Sequence, residues 1–435
     1  MTQELFDSGD RMSFAERVAL HAFEGGGRLA VITNNHAPTV TIAGTLQGGT
    51  AVVTDGRFGV PSLTAAMLDR GTADFSRMSL ARELEDHGLQ LDVHRSGSAP
   101  ASVFFSLQGL AEELPRMVDI LASVLRRPIF PDDELQKVRE RIMGVLQHER
   151  QDTSATAYAQ LTRLIYPTGH PFRRREIDIR ENEVNSITRH DLEQFHARCY
   201  GGRSLVCAVV GDVVDSNVEQ LFSEALFDWG APPQIMPEFP KVETGVSARV
   251  DTEIADRPNL DVFLGHAGRL QFGDGDYAAA LLANSCLGQS TLISRLGVAI
   301  RDQAGLTYGI NSDFSGTLQI PGPWVISLSV ASENLERALV MCREVLDDFL
   351  RTGPDEAELN DERLAWAGGY QVGLATNVGV AMEVVKNLLA GQDLSRMDRF
   401  PREILEVSRD EVKRALKRHI DPERLAISVA GSIEG

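Results

Sequence analysis

Residues 186–212 and 406–432 align without a gap at a constant offset of 220. Ile187-Thr188-Arg189-His190-Asp191-Leu192 answers Val407-Ser408-Arg409-Asp410-Glu411-Val412. Leu205-Val206-Cys207-Ala208-Val209-Val210-Gly211 answers Leu425-Ala426-Ile427-Ser428-Val429-Ala430-Gly431. Each copy reads as a capped helix, a short turn and an apolar strand that ends in glycine. Upstream, Leu84–Val93 answers Arg301–Ile310 at an offset of 217, with Gly88 on Gly305. Self-similarity at about half the chain length means two copies of one fold, not a solenoid.

A chain of 435 residues also exceeds one ordinary core. The proline-rich stretch 231–240 (Ala-Pro-Pro-Gln-Ile-Met-Pro-Glu-Phe-Pro) reads as a stiff linker, giving domains 1–230 and 241–435. Strand signals at 29–33, 40–46, 89–93, 102–108 and 205–211 mix with helical ones at 60–69, 79–86, 112–125, 132–150, 155–165 and 188–199 without strict alternation. Each half is therefore expected to be α+β: a largely antiparallel sheet covered by helices on one side.

A net charge of −19 and a pI near 5.0 argue against nucleic acid and anionic membranes as partners. The one dense basic cluster, Arg173–Arg175, is followed by Glu176, Asp178, Glu181 and Glu183 and reads as a solvated loop. Cys199, Cys207, Cys286 and Cys342 have no paired spacing, which argues against a disulfide framework or zinc knuckle. Residues 1–10 lack the basic and apolar regions of a signal peptide, and no run approaches the ~18 apolar residues of a membrane span. With Met1 as the native start, a cytoplasmic location is expected.

The corner at 294–314 stands out within this frame. Leu296, Ala299 and Ile300 form an apolar helical stripe, Gly305 is placed for a left-handed cap, and Leu306, Tyr308 and Ile310 alternate as in a strand. A cation in a last helical turn and a half-buried strand tyrosine would be an ordinary structural outcome. Against that, the first half has Leu84 and Leu91 at the places of Arg301 and Tyr308. A structural role common to both copies would keep similar residues in both, so the asymmetry favours a site.

With the duplication and this corner in view, the sequence resembles the pitrilysin/insulinase family of zinc peptidases, in particular the short two-domain members related to mitochondrial processing peptidase. The resemblance rests on Gly71-Thr72, the Pro128-x-Phe130 break, Val209-Val210-Gly211-Asp212, and above all Ser294-Arg295-Leu296, Ile300-Arg301 and Gly305-Leu306-x-Tyr308. It implies that Arg301 and Tyr308 bind the scissile carbonyl and stabilise the tetrahedral intermediate. The family's inverted zinc motif, His-x-x-Glu-His, does not carry over. Its histidine places hold Ser62 and Ala66 and its glutamate place holds Ala65; Glu140, near the third-ligand place, is expected on the surface of a long helix. The resemblance thus implies a subunit that binds no metal itself. Zinc and the general base would come from a paralogous partner in a heterodimer or larger complex acting on peptide or unfolded polypeptide. The rival is a non-catalytic member with a structural or peptide-holding role.

Other candidates are weaker. His190-x-x-Glu193-x-x-His196 has helical spacing and reads as the polar face of an amphipathic helix. His87 and His94 read as surface residues without a carboxylate in ligand geometry. Gly25-Gly26-Gly27 precedes a strand, not a helix, and so reads as a turn. Leu287-Gly288-Gln289-Ser290 is either a substrate-facing loop or a plain helix connection. Ser102–Gln108 matches the family's substrate-pairing edge strand, or is an ordinary sheet strand.

Overall fold

A computed structural model of the chain describes residues 13–230, 233, 235–239, 242 and 247–433, so the 231–240 linker is described only in part. The apolar, β-branched runs of the sequence form two sheets. The first contains β1 (Val18–Ala22), β2 (Arg28–Thr33), β3 (Thr39–Gln47), β4 (Gln90–Arg95), β5 (Ser102–Leu110) and β6 (Val206–Gly211), in the order β1-β2-β6-β3-β5-β4. The second contains β7 (Arg249–Glu253), β8 (Asn259–His266), β9 (Thr307–Phe314), β10 (Trp324–Ala331) and β11 (Ala426–Gly431), in the order β7-β11-β8-β10-β9. In each, a single parallel pair (β2 with β6, β7 with β11) joins otherwise antiparallel strands. The repeat is therefore real in three dimensions, with β1 as an addition to the first copy.

The offset of 220 survives in fine detail. The helices Arg189–Cys199 and Arg409–His419 both start in capping boxes, Thr188 with Asp191 and Ser408 with Glu411. A side-chain hydroxyl and a carboxylate there satisfy orphan amides at the helix start. β6 and β11 end in Gly211 and Gly431, at φ 152° and 148°. A Cβ on Gly211 would lie 2.2 Å from the Thr39 carbonyl oxygen, so glycine is required where the chain crosses β3.

Two compact units result, and neither is a continuous stretch. One consists of residues 1–143, 180–237 and 370–402; the other of 144–179, 238–369 and 403–435. In the first unit the Asn377–Leu389 helix packs on β3 and β6, burying Val380, Ala381, Val384, Val385 and Leu388. The Arg28 guanidinium donates to the Leu388 carbonyl at 2.7 Å, and Asn34 Nδ2 donates to Asn377 Oδ1 at 2.8 Å. In the second unit the Thr153–Ile165 helix packs on β8 and β11, with Leu161 fully buried beside Val325 and Ala426. Each buried aliphatic side chain of this size contributes about 1.5–3 kcal/mol.

Some local expectations change. The Arg173–Arg175 cluster is not simply a solvated loop: Arg173 donates to the Tyr166 carbonyl at 2.7 Å and the Arg174 carbonyl accepts from Arg163 at 3.0 Å, knitting the 163–175 turn. Of the acidic residues after it, Asp178, Glu181 and Glu183 lie on a helix, Ile177–Ser186. The four cysteines are free and buried. Among the described residues no single helix is long and apolar enough to cross a membrane.

Candidate functional site

The second unit builds the 294–314 corner from anchored parts. Ser294, 1% exposed, accepts the Gly297 amide on its Oγ, and Leu296 is fully buried. Arg295 holds Glu358 in a two-pronged pair (3.0 and 2.8 Å) and lies over the Phe349 ring. The Ser-Arg-Leu triplet is thus structural. It pins the start of a wide turn, Gly297–Gln303, which is π-helical and not α-helical. Such turns insert an extra residue and recur at functional sites. Gly305 ends the turn at φ 63°, and the Leu306 amide reaches back to the Ile300 carbonyl at 3.0 Å. The left-handed cap read from the sequence is present.

β9 then departs from simple alternation. Thr307 faces Val330 and Ile310 faces Leu328, so Tyr308 and Gly309 together oppose the single residue Ser329. This β-bulge has a local cause. Thr307 Oγ1 donates to the Ser329 carbonyl at 2.7 Å and receives the Gly309 amide at 3.1 Å. Leu306, Thr307 and Ile310 are all buried while Tyr308 is turned outward, 98% exposed. The half-buried tyrosine of an unbroken strand is therefore not what forms; bulges re-aim a side chain in this way. The phenol hydroxyl has no hydrogen bond among the described residues. Arg301, in the wide turn, pairs with its neighbour Asp302 at 2.8 Å and is one-third exposed. One glycine corner of the chain carries both groups, and no direct bond joins them.

The neighbouring segment belongs to the same surface. Leu287 and Gly288 are buried in another wide turn, Ser285–Gln289, and a Cβ on Gly288 would meet Ser312 Oγ at 2.5 Å. The Gln289 carbonyl accepts from Asn311 Nδ2 at 3.0 Å, and Thr291 Oγ1 donates to the Ile310 carbonyl at 2.9 Å. Leu292 and Ile293 follow, both well exposed. What 287–290 does is to brace β9; the exposed residues are the two that come after it.

In the first unit, the Val60–Met67 helix carries Ser62, Ala65 and Ala66. One hydroxyl and two methyl groups are not a zinc donor set. Moreover, Ser62 Oγ accepts a hydrogen bond from the Arg95 guanidinium, a cation where the family's motif would hold a cation. These residues do not fit a zinc ion. Glu140 is exposed and accepts from Gln136 Nε2 at 2.8 Å, as a surface residue would. β5 is interior to the sheet and β4 is its edge, so Ser102–Gln108 is an ordinary strand.

The His190/Glu193/His196 string divides. His190 is exposed, but His196 is only 8% exposed, with Nε2 2.7 Å from the Leu125 carbonyl oxygen and its ring near Tyr200 and Trp229. The polar-face reading fails for His196, and the repeat held the signal: its counterpart is Leu416, 1% exposed. His87 and His94 do have carboxylate partners, Glu113 at 3.1 Å and Asp92 at 2.5 Å, as ordinary surface pairs. Asp274, Asp276 and His419 converge within 4.8 Å, a grouping the sequence did not reveal. Arg418 lies 3.1 Å and His419 3.0 Å from the same Asp276 oxygen, so that carboxylate already has partners within the chain.

Comparison with known proteins matches residues 28–170 to "Insulinase (Peptidase family M16)" and residues 186–365 to "Peptidase M16 inactive domain". The "Non-peptidase homolog YmxG" of Helicobacter pylori is 21% identical, over 89% of this chain and 87% of its own length. A probable mitochondrial-processing peptidase subunit beta of Arabidopsis thaliana is 23% identical, over 94% of this chain and 77% of that protein. A crystal structure of a peptidase M16 inactive domain from Pseudomonas fluorescens superposes with a TM-score of 0.87 at 24% identity, covering 95% of this chain and 98% of that one.

Proposed function

Because the chain belongs to the insulinase family, peptidase family M16, yet has no metal-binding motif, we propose that it is the Arg301/Tyr308-bearing subunit of a heteromeric zinc metallopeptidase. A partner of the same fold supplies the metal and the general base. The observation that carries this reading is the bulge that presents Tyr308, 98% exposed and without a hydrogen-bond partner among the described residues, one corner away from Arg301. A large aromatic side chain left wholly in water contributes little to the core and stays free to contact a substrate.

This chain's part in the reaction is hydrogen-bond donation. A guanidinium keeps its charge at any working pH and a phenol donates as a neutral group, so both suit a carbonyl oxygen that becomes anionic. The Arg301–Asp302 pair does not oppose this. Ion pairs this exposed are worth about 0–1 kcal/mol, little to give up for a substrate oxygen. Leu292 and Ile293 supply apolar surface for a peptide or unfolded segment.

A second reading, a non-catalytic structural or peptide-binding member, is favoured by the similarity to a non-peptidase homologue. One assay separates the two. The purified chain is mixed with a same-family protein that has an intact His-x-x-Glu-His motif, and cleavage of a quenched fluorescent peptide is followed. Cleavage that requires both proteins, and is lost with Arg301→Ala or Tyr308→Phe, is expected. Equal rates for the partner alone and the mixture leave the non-catalytic reading standing.

A further inference from the structure

Arg95 closes the edge strand β4 of the first unit and is largely buried, yet no carboxylate pairs with it among the described residues. Its guanidinium donates to two neutral oxygens, Ser62 Oγ and, at 3.3 Å, Thr50 Oγ1. Its Nε–H is buried with no acceptor among the described residues. Tyr200, 1% exposed, lies within electrostatic range of it, and its hydroxyl is also buried without a partner among the described residues. The two are electrostatic neighbours: the charge of each alters the proton affinity of the other, while burial lowers that of Arg95 and raises that of Tyr200. Gly48 makes room for the phenol, since a Cβ there would come within 2.8 Å of its oxygen.

A tether between β4 and the Val60–Met67 helix needs no charge; an amide would serve two hydroxyls equally well. A buried cation and two orphaned donors are costly unless something anionic completes them. Ser62, Thr50 and Arg95 are each partly exposed, so an anion can approach the guanidinium from solvent, while the Nε–H and the phenol hydroxyl themselves are covered in this structure. We propose that Arg95, with Tyr200 near it and the Ser62 and Thr50 hydroxyls fixing its orientation, is a binding site for a carboxylate. Ser62 occupies a histidine place of the family's metal motif, so a site built to hold a cation has become one that contains a cation and takes an anion. A planar carboxylate matches the fork of a guanidinium and accepts from a phenol. The inference does not rest on the proposed peptidase partnership.

The test is thermal unfolding of the full chain in sodium acetate against sodium chloride at matched ionic strength. The midpoint is expected to rise saturably with acetate, by linkage to a site present only in the folded state. Arg95→Met should weaken acetate about 10- to 100-fold, the value of a charge-assisted hydrogen bond, and Tyr200→Phe about threefold to tenfold. Arg95→Lys, which keeps the charge but not the fork, should fall between them and serves if Arg95→Met does not fold. A dipeptide with a free C-terminus, tested beside its amide, identifies the source. A free acid acting well below the acetate concentration marks a peptide terminus, and equal potency marks a small free carboxylate. No response to acetate, a response to phosphate alone, or an acetate response unchanged in the variants overturns the proposal.

Discussion

The two halves of this protein turn the same corner with opposite results. In the first, the Arg77–Asp86 helix ends at Gly88, φ 62°, and β4 runs on in an unbroken ladder with Leu91 opposite Leu107. In the second, the wide turn ends at Gly305, φ 63°, and β9 breaks its ladder at once, so that Tyr308 leaves the sheet. The glycines, the backbone reach-back and the edge position are common to both. What differs is the wide turn before the glycine, the bulge after it and two side chains. A duplicated fold can keep its scaffold and specialise one copy by changing the register of a single edge strand.

The comparison breaks or sharpens in three experiments. The largest effect is expected from Arg301→Ala and Tyr308→Phe in the two-protein assay: about 3–4 kcal/mol in transition-state stabilisation, a hundred- to thousand-fold loss of rate. Chemical denaturation should show almost no change for Tyr308→Phe, given the exposure of the ring. A matching loss of stability would mean that the corner is structural after all. Next come Gly88→Ala and Gly305→Ala. Both glycines are left-handed with open space around them, so each substitution should cost about 1–2 kcal/mol of backbone strain, equally in the two halves. Only Gly305→Ala should also slow cleavage, and equal effects on rate would erase the distinction drawn between the copies.

The smallest effect concerns the twin capping boxes. The Arg57 guanidinium and then the Thr188 donors hold the Asp191 carboxyl far below its ordinary value; the Ser408 donors, and after them the charge of Arg414, lower Glu411 at the equivalent place. A depressed carboxylate contributes stability above its unfolded value, near pH 4, that is lost as pH falls through the folded one. Asp191→Asn is therefore expected to cost about 1 kcal/mol at neutral pH and Glu411→Gln about 0.3 kcal/mol. Below pH 4 the difference from the parent chain should shrink, more for Asp191 than for Glu411. Acid titrations of the unfolding free energy would show this.

Much of the scaffold could be read from residue order because it is local. A capped helix, a turn and an apolar strand declare themselves within 27 residues, and twice over at a fixed offset. The bulge could not be read, since it is a relation between β9 and β10, and Tyr308 alternates correctly in the sequence. Helical spacing alone puts His196 on a polar face, whereas its counterpart Leu416 marks the position as core. Arg95 lay unnoticed in the polar run Gln-Leu-Asp-Val-His-Arg, where nothing signals that the last side chain turns inward. The helix Ile177–Ser186 was hidden by its charge, and β1 by its shortness.

The helices Thr153–Ile165 and Asn377–Leu389 give the architecture a further property. Each is encoded in one repeat and finishes the sheet belonging to the other. A protease that nicks the 231–248 stretch would therefore release no free domain, because either fragment by itself would lack the lid of its own core. Separately synthesised halves should be insoluble alone and soluble when made together. Gene duplication here produced not two tenants of one polypeptide but a pair of mutual hostages.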